Sequence, residues 1–136
     1  MKNNRMALVM QYRPTIDKRI KEIPAGLLDK EDLTPLETLI EELEEECGIM
    51  SDEIISINDK PIHDYYMVVG SSDARISIYE VRVKAQVNKF VDDKDVEYVE
   101  WLTLEEVERD IITGLAPDPK TIISYYYFKE LLELSQ

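Results

Sequence analysis

One cysteine and one histidine, Cys47 and His63, stand in 136 residues. An intramolecular disulfide is therefore excluded, and no Cys/His zinc cluster can be assembled. A reducing cytoplasm fits that usage. Basic residues are scarce as well: 16 Lys and Arg face 29 Asp and Glu, for a net charge of -13. Neutralising phosphates on nucleic acid or on an anionic membrane needs clustered Lys and Arg, so neither is expected as a partner. A small anionic ligand stays open if a metal or local arginines carry it. The apolar runs are far shorter than the ~20 residues a membrane span needs. Residues 1–4 lead straight into a short apolar run, without a signal-peptide pattern. No repeat, low-complexity tract or linker interrupts the chain. With 44% hydrophobic and 33% charged residues, the composition suits one compact domain over residues 1–136.

What is present is a clear succession of elements. Arg5–Arg13 is a short apolar run typical of a buried strand. Ile20–Gly26 alternates and breaks at Pro24, a strand entering a loop. Thr34, Pro35 and Glu37 form a capping box with proline at the first helical position, and Gly48 is a natural stop. Further strands are expected over Glu53–Ile57, Asp64–Gly70, Ala74–Val87 and Val96–Leu102, with an acidic loop over Val91–Glu97. A second capping box at Thr103 and Glu106 opens a helix to about Gly114. Asp118-Pro119 opens a third that runs on to the C-terminus. Strands around one central helix, with helices at the end, give an α+β or α/β sandwich.

The central helix carries an unusual charge pattern. Six glutamates lie between Glu37 and Glu46, and no Lys or Arg falls between Lys30 and Lys60. At ~100° per residue, Leu36, Leu39, Ile40, Leu43 and Cys47 share the core face. Glu42, Glu45 and Glu46 share a second face, and Glu37, Glu41 and Glu44 fall on the remaining flank. Like charges at i, i+4 on a helix cost roughly 0.2–0.5 kcal/mol each. A hard divalent cation such as Mg²⁺ or Mn²⁺ reverses that cost and can recruit a diphosphate. A solvated acidic face is the plainer account. The glycine-bearing loop Pro24-Ala25-Gly26 beside the helix favours the metal.

Those residues resemble the Nudix box, G-x5-E-x7-R-E-U-x-E-E-x-G-U, where U is bulky and apolar. Glu42-Leu43-Glu44-Glu45-Glu46-Cys47-Gly48-Ile49 supplies its last eight positions, and Gly26 its opening glycine. Gln11–Arg13, Glu22–Gly26, Gly70–Arg75, the run beginning at Val99 and Asp118–Thr121 extend the likeness to the ADP-ribose pyrophosphatase branch. The resemblance implies a mixed β-sheet between helices and Mg²⁺- or Mn²⁺-dependent hydrolysis of a nucleoside diphosphate linked to another moiety. ADP-ribose or a nucleotide sugar is the first expectation. By position, Glu42, Glu46 and the Ala25 backbone carbonyl would be metal ligands. Glu45 would be a further ligand or a water-orienting carboxylate, and catalysis would rest on Glu45 and Glu46. Arg13 would hold a substrate phosphate, with Gly26 lining the substrate site.

Three positions depart from the pattern. Glu41 stands where the box has arginine, about 40° from Glu45 on the wheel. Leu33 stands at the first box glutamate, after a loop one residue longer, with Asp32 adjacent. Ala74 replaces a loop glutamate that helps bind metal or activate water in that branch. Asp73, Asp92, Asp93 or Glu97 are candidate stand-ins, and Arg75 is a candidate counter-charge for Glu41. A catalytically impaired nucleotide- or protein-binding module is therefore the alternative function. His63 reads as a loop-edge residue rather than a general base, and Cys47 as an inert buried thiol. Asp118 reads as a helix cap and Trp101 as core. Ser124–Phe128 suits core or a homodimer interface. The chain starts close to the box, before which that branch often carries strands for dimerisation and base recognition. Adenine specificity and dimerisation thus stay open.

Overall fold

The computed structural model describes residues 4–25, 33–67, 69–84, 86, 89–90 and 96–134. Two apolar runs make the centre. β1 (Met6–Arg13) pairs antiparallel with β2 (Lys18–Glu22) on one side and with β8 (Val96–Leu102) on the other. β7 (Lys89–Phe90) extends the sheet to the order β2-β1-β8-β7. Alternation along β1 sends Val9 to one face and Leu8 to the other. Val9 packs with Val96 and Val99 of β8 and with Leu43, Cys47 and Ile49. Leu8 packs with Leu102, Val107 and Tyr125. The sheet is thus covered by α1 (Pro35–Cys47) on one face and by α2 (Leu104–Ile112) and α3 (Pro119–Leu134) on the other. This is an α+β sandwich, and the strand pairings among the described residues are antiparallel.

A bulge between Met10 and Gln11 shifts the register so that Gln11 faces Val96 rather than Glu97. It explains why Val96 and Val99, three apart, are buried in one cluster. Glu97 then reaches Arg19 at 2.7 Å on the exposed edge.

Two smaller sheets flank this core. β3 (Ile54–Ile57) pairs with β6 (Val81–Val83), and β4 (His63–Tyr66) pairs with β5 (Arg75–Ile78). The single strand expected over Ala74–Val87 is therefore two strands with different partners, interrupted at Tyr79 and Glu80. Glu80 takes hydrogen bonds there from Asn58 Nδ2 at 3.2 Å and from the Tyr127 hydroxyl at 3.3 Å. The strand expected over Asp64–Gly70 stops at Tyr66, where the Met67 amide turns back to the Ala74 carbonyl at 2.9 Å.

Among the described residues, α1, α2 and α3 begin at the caps the sequence marks. The Thr34 hydroxyl accepts the Glu37 amide at 3.2 Å, and Thr103 and Glu106 form a reciprocal capping box. Asp118 accepts the Thr121 amide at 3.3 Å. The first box is only half made, because the Glu37 carboxylate accepts from the Thr34 hydroxyl at 3.1 Å. Gly48 ends α1 in the left-handed region, at φ 65 and ψ 26, where a side chain would be strained.

Candidate functional site

The site is assembled from the end of β2, the loop behind it and one face of α1. Leu43 and Cys47 are buried as the core face requires, while Leu36, Leu39 and Ile40 are only half-buried. Thr38 and Glu46 are buried instead, with 1% and 8% of their surface exposed. Thr38 lies one turn before Glu42, so the buried face of α1 turns partly toward the acidic side. A carboxylate at this depth needs hydrogen bonds in place of water. Glu46 Oε2 accepts the Ala25 backbone amide at 3.0 Å. That bond brings the loop and the helix, 21 residues apart in sequence, to one point.

Glu42 is half-buried on the same face and Glu45 is exposed. The three carboxylates share a side of α1 but are not drawn together: among the described residues no three His, Cys, Asp or Glu side chains form a group able to hold a metal ion. Successive helix positions diverge by ~100°, which sends Glu45 to solvent while Glu46 turns to the loop. The available donors are carboxylate and carbonyl oxygens, the hard ligands that Mg²⁺ or Mn²⁺ take. Thr38 Oγ1 is buried and has no hydrogen-bond partner among the described residues. An orphaned hydroxyl on this face suits a site that gathers oxygen ligands and water. The donor types therefore suit such an ion, while the carboxylates stand apart rather than gathered around one point.

Arg13, at the end of β1, forms a two-point ion pair with Glu22 of β2: Nε to Oε2 at 2.6 Å and Nη2 to Oε1 at 2.9 Å. Both line an open groove of about 500 Å³ with Thr15, Ile16, Ile20, Pro117 and Asp118. Lys120, in the first turn of α3, reaches Glu22 at 3.4 Å and Asp118 at 2.8 Å. Thr121 ties the same turn to β2: its hydroxyl donates to Asp118 at 2.8 Å and accepts the Ile23 amide at 2.9 Å. Pro24 is thus bracketed by two amides, one held by α3 and one by α1. Tyr65 of β4 borders this cluster; burial pushes its phenol up, Lys120 draws it down and Asp118 pushes it up, for a net rise.

On the opposite side of β2, Lys21 is 9% exposed between Asp110 at 3.0 Å and Glu100 at 3.4 Å. Burial alone would lower its pKa, but the hydrogen bond and charge of Asp110, with Glu100, leave it raised. This pair anchors β2 to the end of α2.

Gly26, Asp32, Asp92 and Asp93, and most of the expected acidic loop, lie outside the described residues. Leu33 is half-buried just before the α1 cap. Ala74 is exposed, and its amide donates to Ser72 Oγ at 3.0 Å. Asp73 is exposed and Glu97 is paired with Arg19. Arg75 is engaged by Asp64 and lies over the Tyr66 ring, 5.3 Å from its centroid. His63 is exposed, its ring edge-on to Tyr127 at 6.3 Å. Cys47 is fully buried and Tyr125 is in the core, whereas Tyr126 is 62% exposed. Asp118 caps α3 as expected and also lines the groove.

Glu22 and Lys120 fall inside stretches that carry the resemblance, but sequence reasoning gave neither a role. A parity signal was available for Glu22: it shares a strand face with buried Ile20, an unusual place for a carboxylate. Nothing in the pattern of α3 marks Lys120.

A family profile described as NUDIX domain matches residues 1–129. A methanol dehydrogenase activator from Bacillus methanolicus is 33% identical over 132 residues, 93% of this chain and 66% of that protein. An ADP-ribose pyrophosphatase from Bacillus subtilis (strain 168) is 30% identical over 134 residues, 95% of this chain and 69% of that protein. Another, from Mycobacterium tuberculosis, is 27% identical over 118 residues, 82% of this chain and 53% of that protein. The chain thus spans between half and about two thirds of the length of these relatives. With the box helix capped at both ends and joined to its loop through Glu46, and with the profile matching nearly end to end, the chain belongs to the NUDIX domain family.

Proposed function

We propose that the chain hydrolyses a nucleoside diphosphate linked to a second moiety, with Mg²⁺ or Mn²⁺, and that ADP-ribose is the first substrate to try. The observation that carries this reading is the bond from the Ala25 amide to the buried Glu46 carboxylate. It sets a backbone loop against an acidic helix face, the pairing an oxygen-ligated cation needs. Glu42, Glu46 and the Ala25 carbonyl would hold the ion, and Glu45 would ligate or orient water. The metal, when bound, lowers the pKa of the attacking water and offsets charge developing on the diphosphate. Arg13 would take a substrate phosphate with its planar fork. Relatives named ADP-ribose pyrophosphatase support the substrate class. A reducing cytoplasm suits the single buried cysteine.

Glu41 and Ala74 favour a second reading, a module that binds a nucleotide or a protein and hydrolyses nothing. One relative is named for action on another protein, methanol dehydrogenase. A hydrolysis screen of nucleoside diphosphate derivatives with Mg²⁺ or Mn²⁺, run beside Glu46→Gln, separates the two. The enzyme reading expects turnover that drops by at least a hundredfold in Glu46→Gln. Turnover that survives the substitution would sink the metal-site assignment. No turnover by the unaltered chain, together with micromolar nucleotide binding, would favour the binding module.

A further inference from the structure

Glu22 has only 3% of its surface exposed, and the proposed chemistry makes no use of it. A carboxylate at that depth is costly unless cations and hydrogen bonds replace its water. Two cations do so, and they are unequally buried. The side chains of Glu22 and Lys120 are 4% and 18% exposed, whereas that of Arg13 is 43% exposed. The cluster has a closed inner half, Glu22 with Lys120 and Asp118, and an open outer half, Arg13 at the groove.

That inequality separates the roles. Arg13 pairs with Glu22 through Nε and Nη2, one edge of the guanidinium. A two-point contact fixes the plane of the fork and so the direction in which its Nη1 side is presented. An arginine already held in one rotamer loses less freedom when an anion arrives. Lys120 shares Oε1 with Arg13, so Glu22 keeps an inner counter-ion when the charge of Arg13 is divided with a ligand.

The geometry points to Glu22 as a positioning residue that holds Arg13 ready for one phosphate of a diphosphate, with Lys120 as its standing counter-ion. This rests on the reading of Arg13 as a phosphate-binding residue. An ion pair that merely joins β1 to β2 would affect stability and leave anion affinity alone.

The test uses the full chain, unaltered and as Glu22→Gln, Arg13→Lys and the double variant. Inorganic pyrophosphate is titrated in Mg²⁺ buffer while the ¹⁵N resonance of Arg13 Nε is followed, assigned by its loss in Arg13→Lys. Thermal midpoints are recorded alongside. The expected result is a saturable shift of Arg13 Nε in the unaltered chain and an affinity about tenfold weaker in Glu22→Gln. Arg13→Lys should weaken binding to a similar degree, and the double variant no further than Arg13→Lys alone. Unchanged affinity in Glu22→Gln, losses that multiply in the double variant, or an Arg13 Nε that ignores pyrophosphate would each overturn the proposal. Should Glu22→Gln fail to fold, Glu22→Asp draws the charge back by one methylene, and a several-fold loss is expected. Hydrolysis is scored separately. Pyrophosphate binding through Arg13, with the expected loss in Glu22→Gln and no turnover of any substrate, keeps the role of Glu22 and removes the hydrolase reading. Turnover of ADP-ribose with an unresponsive Arg13 does the reverse.

Discussion

Single side chains in this protein are set by what replaces their water. Tyr125 is 3% exposed and donates its hydroxyl to Glu108 at 3.0 Å. Burial, then the hydrogen bond to Glu108, pushes its phenol from 10.0 up to about 12. The sign follows from linkage. The folded state keeps Tyr125 neutral where the unfolded chain ionises it, so its contribution is intact below pH 10 and is lost as the pH rises toward 12. In urea unfolding, the parent should lose about 2 kcal/mol more than Tyr125→Phe between pH 9 and pH 12. Parallel pH profiles for the two proteins would refute this assignment. The same physics limited what could be read beforehand. Glu46 and Glu22 carry charges that a hydropathy pattern assigns to the surface. Their burial follows from partners 21 residues away, at Ala25, and 98 residues away, at Lys120. Glu42, Glu45 and Glu46 were legible as one helix face because spacing alone decides that.

At the level of elements, ends were easier to read than partners. Thr34, Pro35 and Gly48 marked α1 and Thr103 marked α2, because caps act within three or four residues. The run from Ala74 to Val87 looked like one strand, since alternation does not reveal that Ile78 pairs with His63 and Val81 with Ile57. The stop of α1 also offers a direct test. The Gly48 amide closes on the Glu44 carbonyl at 2.9 Å, and the left-handed turn at Gly48 then brings the Ile49 amide back to the Leu43 carbonyl at 3.1 Å. Gly48→Ala should cost about 1 kcal/mol, a fall of roughly 2–5 °C in the melting midpoint. Gly114→Ala, also at positive φ but with nothing within 4 Å of an added Cβ, should cost a similar strain without weakening the proposed metal binding. Equal metal affinity in Gly48→Ala and the parent would mean that the end of α1 does not govern the placement of Glu46.

Over the whole molecule, the excess of 29 acidic over 16 basic residues sets a self-repulsion that the local ion pairs only partly offset. Raising NaCl from about 20 mM to 300 mM shortens the Debye length from about 20 Å to about 6 Å. The melting midpoint should therefore rise by a few degrees, and a midpoint that falls with salt would show attraction between surface charges to be dominant. The α+β sandwich was legible from the order of strands and helices, whereas the antiparallel pairing was not, and neither was the groove, because it joins β1, β2 and the segment before α3. The bracket around Pro24 has a consequence in time. Ala25 reaches Glu46 across 21 residues, whereas Ile23 reaches Thr121 across 98. A chain made from its N-terminus can draw the loop onto α1 early, while β2 must wait for the first turn of α3. During synthesis the loop is therefore secured from one side, at α1, before the partner for its second fastening, at α3, has been made.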